Sequence, residues 1–310
     1  MSWPELPYAA LRPTADTLQL WAQIVGKVRL ARTPWINHGW HVPLYVSARG
    51  LTTSLIACEG TSLELELDLL GHALVVRCTD GGEQRIALAA RTAADFYAEA
   101  MQALDALGVP TPIVAVPNEL PEATPFAEDH APRDYDPVMA TAFWRALIQV
   151  DRVFLRFRSR FLGKVSPVHF FWGAADLAVT RFSGRRAPLH PGGVPHLPDD
   201  VTREAYSHEV SSAGFWPGDN PQDGPSFYSY AYPAPKGFAR APIAPAAARY
   251  DEQLGEFLLP YEAVRTAPDP DAALLAFLQA AYEAAANGAN WDRAALECEE
   301  GAIGRPRLID

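Results

Sequence analysis

Leu63-Glu64-Leu65-Glu66-Leu67-Asp68-Leu69 alternates apolar and acidic residues without a break. Side chains on a strand have a period of two, so four leucines share one side and three carboxylates the other. The run predicts an antiparallel strand with one dry and one wet face. After Gly71 the stretch from Ala73 to Cys78 repeats the pattern less cleanly, and the two runs read as a hairpin. Working outward, Leu51 to Ala57 and Trp40 to Ser47 are further strands behind a loop holding Asn37, His38 and Gly39, while Asp80-Gly-Gly turns the chain into Arg85 to Ala89.

Helices flank this sheet. Leu18, Trp21, Val25 and Val28 form a stripe at helical spacing that Thr14 or Asp16 can cap and that should end before Pro34. Thr92 with Asp95 resembles a capping box, opening a helix with Phe96, Ala100, Leu104 and Leu107 inward. The order helix, strands, helix then recurs. Val138 to Phe161 reads as a long helix. Strands are expected at Val168 to Trp172, Leu177 to Phe182, Tyr206 to Phe215, Phe227 to Tyr232 and Glu256 to Tyr261, and Asp269-Pro270 starts a last helix reaching Asn287-Gly288. The expected fold class is α+β, with two similar helix, antiparallel sheet and helix halves packed about a pseudo-twofold axis. The boundaries are 1–118 for the first half, 119–137 for a connector rich in proline and acid, 138–290 for the second half and 291–310 for a tail.

Composition narrows the function. The chain has 310 residues, 49% apolar and 20% charged, which is ordinary for a folded protein and excludes disorder. Proline is in excess at 28 residues, which predicts ordered loops. No run of 18 apolar residues exists to span a membrane. The three cysteines, Cys58, Cys78 and Cys298, are far apart and suit a reducing cytoplasm. A net charge of −11 argues against nucleic acid as partner. Between 145 and 186, however, nine cations stand with two anions. Either these arginines pair with acidic neighbours inside the fold, or they floor a positive cleft for a small anionic molecule.

Several polar residues fall where apolar ones are expected. In Val168-His169-Phe170-Phe171-Trp172 both alternating faces are apolar, so His169 is expected inside, as a satisfied core imidazole or as an acid or base. Arg181 shares a face with Leu177 and Val179 and needs a carboxylate or an anionic ligand, and Asp176 lies on the other face of that strand. In Tyr206-Ser-His-Glu-Val210 adjacent His208 and Glu209 point apart, which weakens a metal triad of His169, His208 and Glu209. A zinc or other divalent ion on His41, His169 and His208 has suitable chemistry without diagnostic spacing. Ser183-Gly-Arg-Arg186 reads as a turn able to hold an anion through Arg185. Trp172, Phe215, Trp216, Tyr228, Tyr230 and Tyr232 are an aromatic pocket or plain core, and Pro217 to Pro245 is a lid or a covering meander.

The phrases Trp3-Pro-Glu-Leu-Pro7, His41-Val-Pro-Leu-Tyr45, Ser166-Pro-Val-His-Phe-Phe-Trp-Gly173, Leu177-Ala-Val-Thr-Arg181 and Tyr206-Ser-His-Glu-Val-Ser-Ser-Ala-Gly-Phe-Trp216 together resemble an uncharacterised family of bacterial proteins, a domain of unknown function. The resemblance covers almost the whole chain and implies no activity, cofactor or site residue. On the residues alone the leading expectation is an enzyme acting on a small anionic substrate. His169 and His208 would be acid or base, Glu209 would orient one of them, Arg181 and Arg185 would hold the anion, and Asp176, Trp172, Trp216 and His41 would complete the site. The alternatives are a binding protein without chemistry and a scaffold whose buried polar groups only specify packing.

Overall fold

The computed structural model describes residues 2–220 and 224–307. Strands β1 (Tyr45–Val46), β2 (Gly50–Thr52), β3 (Ile56–Cys58), β4 (Thr61–Asp68), β5 (Ala73–Cys78) and β6 (Glu83–Ala87) form one antiparallel sheet in the order β1-β2-β4-β5-β6, with β3 also on β4. The Leu63 to Leu69 alternation holds: Leu63, Leu65 and Leu67 are buried while Glu64, Glu66 and Asp68 occupy the opposite face. The segment expected as one strand from Leu51 to Ala57 is two, broken at Ser54, whose φ is +56°.

Strands β7 (His169–Phe171), β8 (Asp176–Arg186), β9 (His208–Trp216), β10 (Ser226–Tyr232), β11 (Arg249–Asp251) and β12 (Glu256–Pro260) form a second antiparallel sheet in the order β11-β12-β10-β9-β8-β7. A bridge between Leu44 and Phe170 joins the two sheets at their facing edges. The fold is therefore α+β with two antiparallel sheets, each following a long helix, although the sheets differ in strand order.

Four long helices, α1 (Tyr8–Arg32), α2 (Ala93–Ala106), α3 (Pro137–Arg158) and α6 (Pro270–Gly288), adjoin in the order α2-α1-α3-α6 and cover one face of the sheets. Their starts follow local chemistry. Thr92 Oγ1 accepts the Asp95 N–H, Asp136 Oδ1 accepts Val138 N–H ahead of α3, and Asp269 Oδ1 accepts Ala272 N–H with Pro270 at the first position. Helix α1 begins earlier than the expected Thr14 or Asp16, and Pro13 lies inside it. Packing of Trp3, Leu6 and Leu11 into the core outweighs the backbone bond that Pro13 cannot make. Helices α4 (Asp199–Ala205), α5 (Tyr261–Arg265) and α7 (Arg293–Leu296) were not legible. Each spans two turns or fewer, too short for a periodic stripe.

Two further readings change. Ser183 to Arg186 is not a turn but the bulged end of β8, where Gly184 has a φ of +86° and the register to β9 shifts. The tail is docked: Leu162 and Cys298 N–H groups donate to the Leu296 and Arg160 carbonyls, respectively, and Glu300 pairs with Arg156 and Arg160. Of the stretch from Pro217 to Pro245, residues 221–223 lie outside the described residues.

Candidate functional site: the uncovered face of the second sheet

The register of the second sheet sorts its residues by face. Leu177, Val179, Arg181, Phe215, Phe227 and Phe257 lie on the helical side, all buried. His169, Asp176, Ala178, Thr180, Phe182, His208, Gly214, Trp216, Tyr228 and Tyr230 lie on the other. Among the described residues no long helix packs on that second face. On it Ala178, Ser212 and Gly214 are buried, while Tyr228, Tyr230, Trp216 and Glu256 are half-buried.

The predicted residues do not converge. Arg181 is 1% exposed on the helical side, where its guanidinium carbon lies 3.5 Å from the Phe157 ring centroid, 4.4 Å from Tyr282 and 4.9 Å from Phe161. Its Nη2 donates to the Phe157 carbonyl at 2.5 Å, and burial draws the group down to about 10. Delocalised charge among aromatic rings needs no anion. Arg185 is paired with Glu209 at 2.7 Å, away from His208, and Arg152 and Arg156 bond Asp271 and Glu300. Of the nine cations of the basic segment, Arg152, Arg156, Arg160 and Arg185 pair with carboxylates.

His169, 1% exposed, is packed against Phe171, Trp40 and Tyr45 at ring separations of 4.7, 6.4 and 6.2 Å, and its Nδ1 has no partner. Burial, then the charges of Arg29 and Arg158, push it down to about 3, so it is neutral near pH 7 and too weak a base there. His208 is half-buried, with Ser207 Oγ 3.1 Å from Nδ1. The residues that His169 and His208 face, Ala178 and Arg186, stand eight positions apart on β8, roughly 25 Å. His41 takes the Ile36 N–H at Nδ1 beneath Trp35, and Trp172 donates to the Val42 carbonyl at the junction of the sheets. Among the described residues no group of three His, Cys, Asp or Glu side chains is placed to hold a metal ion.

What the uncovered face does assemble is a set of tyrosines and carboxyls. The Tyr228 and Tyr230 rings stack at 6.1 Å and 14°. The hydroxyl of Tyr228 donates to Asp176 Oδ2, and that of Tyr230 lies 2.7 Å from the Tyr206 hydroxyl. Tyr228 can lie flat because residue 214 is glycine; a Cβ there would collide with the phenol ring. Asp176 is 6% exposed, and burial raises it to about 6 against the opposing bond from Tyr228. Burial, reinforced by the Asp176 charge, raises Glu119 to about 7 and Glu256 to about 8. Glu119 is exposed as a residue, but its carboxyl rests on Gly173, where a Cβ would strike it, and its own backbone has a φ of +63°.

Asp176 was legible as a polar residue on the face opposite Arg181, and Tyr228, Tyr230 and Tyr232 as members of an aromatic pocket or plain core. Glu119 and Glu256 were missed. One sits in the proline-rich connector and the other on the far side of the sheet, and no local pattern relates either to Asp176.

Fold and face together define an α+β protein of two antiparallel sheets, the second carrying tyrosines and carboxyls on the face away from the long helices. A family model, described as a family of unknown function (DUF5996), matches residues 3–298, and the chain belongs to that family. No curated protein and no solved structure matches it. No described helix is long and apolar enough to cross a membrane.

Proposed function

We propose that the chain is a binding protein for a small organic cation, taken up on the uncovered face between Tyr206, Tyr228 and Tyr230 and the carboxyls of Asp176, Glu119 and Glu256. One observation carries this reading: among the described residues none of these three carboxyls has a basic partner, whereas Asp68, Glu66, Glu83, Glu209 and Asp251 on the sheets each pair with an arginine. Carboxyls that burial and each other hold partly protonated gain by receiving a positive charge, and phenol rings add cation–π attraction. The alternative of an anionic substrate worked on by His169 and His208 has less support, because Arg181 and Arg185 are engaged elsewhere. Three unpaired cysteines favour a reducing, cytoplasmic setting. The recurrence of long helix and antiparallel meander favours an internal duplication.

Titration calorimetry with choline and with tetramethylammonium, using acetate and glucose as controls, tests the proposal. Saturable binding of the cations is expected, tightening from pH 6 to pH 9 as the three carboxyls ionise, and weakened about tenfold or about 1.4 kcal/mol by Asp176→Asn. Preference for acetate or glucose, or binding indifferent to Asp176→Asn, overturns it.

A further inference from the structure

The chain contains three lysines, Lys27, Lys164 and Lys236. Lys164 is held in a way that has no counterpart at the other two. Its Nζ lies 2.6 Å from His38 Nε2, and His38 Nδ1 lies 2.8 Å from the Ala205 carbonyl. A carbonyl only accepts, so Nδ1 carries the proton and Nε2 presents a lone pair to the amine. The ring cannot swing away easily. The His38 backbone N–H donates to Glu204 Oε2 at 2.8 Å, Phe182 packs on the imidazole at 4.6 Å, and the backbone is held at a φ of +63°. A non-glycine residue in the left-handed region at the base is the kind of strain that persists where surroundings over-determine it.

The amine itself sits over aromatic faces, 5.0 Å from the Phe182 centroid and 5.1 Å from Trp40, yet Lys164 is exposed. Burial lowers His38, so its Nε2 is unprotonated at neutral pH, and the titratable groups facing the pair are Glu204 from α4 and His208 from β9, whose ring lies 5.8 Å from that of His38. Lys164 lies beside Phe182, six positions along β8 from Asp176 and so roughly 20 Å from the carboxyl cluster. This is a separate place on the same face and uses none of the residues of the cation site.

We propose that Lys164 is a nucleophilic amine that condenses with a small aldehyde, with His38 as its base. The ammonium gives a proton to His38 Nε2, and the freed Nζ lone pair forms a bond to the carbonyl carbon while the carbonyl π pair moves to oxygen. That oxygen takes the proton back from His38. The carbinolamine nitrogen then passes its second proton by way of His38 to the hydroxyl, the C–O bond breaks to release water, and the nitrogen lone pair forms the second C–N bond of a protonated imine. No oxidant or reductant is involved, and hydrolysis reverses the step. Burial, opposed by Glu204, lowers the Lys164 ammonium from its ordinary value, which raises the share of free amine at neutral pH. Lys27 is an unsuitable alternative: burial lowers it to about 8, but it is 3% exposed beneath Trp172 and bonded to Asn118.

The test is reductive labelling of the full-length protein with propanal and cyanoborohydride at pH 7, followed by peptide mass mapping. Exposed Lys236 serves as the reference inside the same molecule. Lys164 is expected to label at least about tenfold faster than Lys236. His38→Gln, which keeps an acceptor but is not a base, should bring Lys164 down to the Lys236 rate, and Lys164→Arg should remove that labelled peptide. Equal rates for the two lysines in the wild-type chain, or a Lys164 rate unchanged by His38→Gln in a variant with the wild-type melting temperature, overturns the proposal. The comparison of the two lysines needs no variant, so poor folding of His38→Gln leaves it decisive.

Discussion

Both sheets turn one face to the helices and one away from them, and the two outward faces treat buried carboxyls in opposite ways. On the first, Asp68 is 1% exposed, yet its oxygens accept from Arg49 Nε at 2.8 Å, Gly71 N–H at 2.6 Å and Leu70 N–H at 3.1 Å. Burial opposes its ionisation, but these donors outweigh burial and hold the carboxyl below its ordinary range. Glu66 has Ser47 and Arg77, and Glu64 has Thr52. On the second face Asp176, nearly as buried, has a phenol and no cation, and it rises instead. Burial alone does not decide a carboxyl's charge; the donors around it do. The acids of the first face are satisfied by neighbouring donors, whereas Asp176 on the second lacks a basic partner among the described residues.

The largest expected effect breaks the satisfied side. Asp68→Ala leaves two turn N–H groups and Arg49 without their acceptor and should lower stability by about 3 kcal/mol in urea unfolding at pH 7. A loss below about 1 kcal/mol would mean that the pairing on this face is ornamental and that the contrast fails.

Asp176→Asn should act with the opposite sign. Because the folded chain holds the Asp176 proton up to about 6 while the ordinary value is 3.8, the folded state binds the proton more tightly. The wild-type protein therefore loses stability from this group as pH rises from about 4 through 6, the reverse of Asp68, whose contribution is lost as pH falls. Asn keeps an acceptor for Tyr228 and removes the charge, so the variant should equal the wild type at pH 4 and exceed it by about 1 to 3 kcal/mol at pH 8. Destabilisation at pH 8 would show an unrecognised partner for the carboxylate.

Arg185→Ala sharpens the comparison from the other end. The Arg185 pair with Glu209 is open to solvent on the arginine side, so its loss should cost about 0.5 kcal/mol and shrink further in high salt. A cost above about 2 kcal/mol would mean that an exposed pair matters as much as the buried Asp68 network.

Much of this was legible locally. The Leu63 to Leu69 alternation, the capping residues Thr92 and Asp269, and the opposite pointing of His208 and Glu209 each depend on neighbours within a few positions, and each is found as expected. The candidate site was legible in fragments: Asp176, Trp216 and the tyrosines of β10 were singled out without the relation between them. The emphasis on Arg181 went astray for a physical reason. A guanidinium inside a core needs compensation, and the rings of Phe157, Phe161 and Tyr282 that surround it come from two other places in the chain, the end of α3 and α6.

Spacing along the chain determined which residues become helix or strand and which side of a strand each one takes, because those depend on backbone periods of 3.6 and 2. Tertiary structure decided which charges meet. Glu119, Asp176 and Glu256 are 57 and 80 positions apart, and Lys164 meets His38 across 126. Electrostatic and hydrogen-bonding energies depend on distance through space, which chain position does not encode until the sheets are joined and one face is left uncovered.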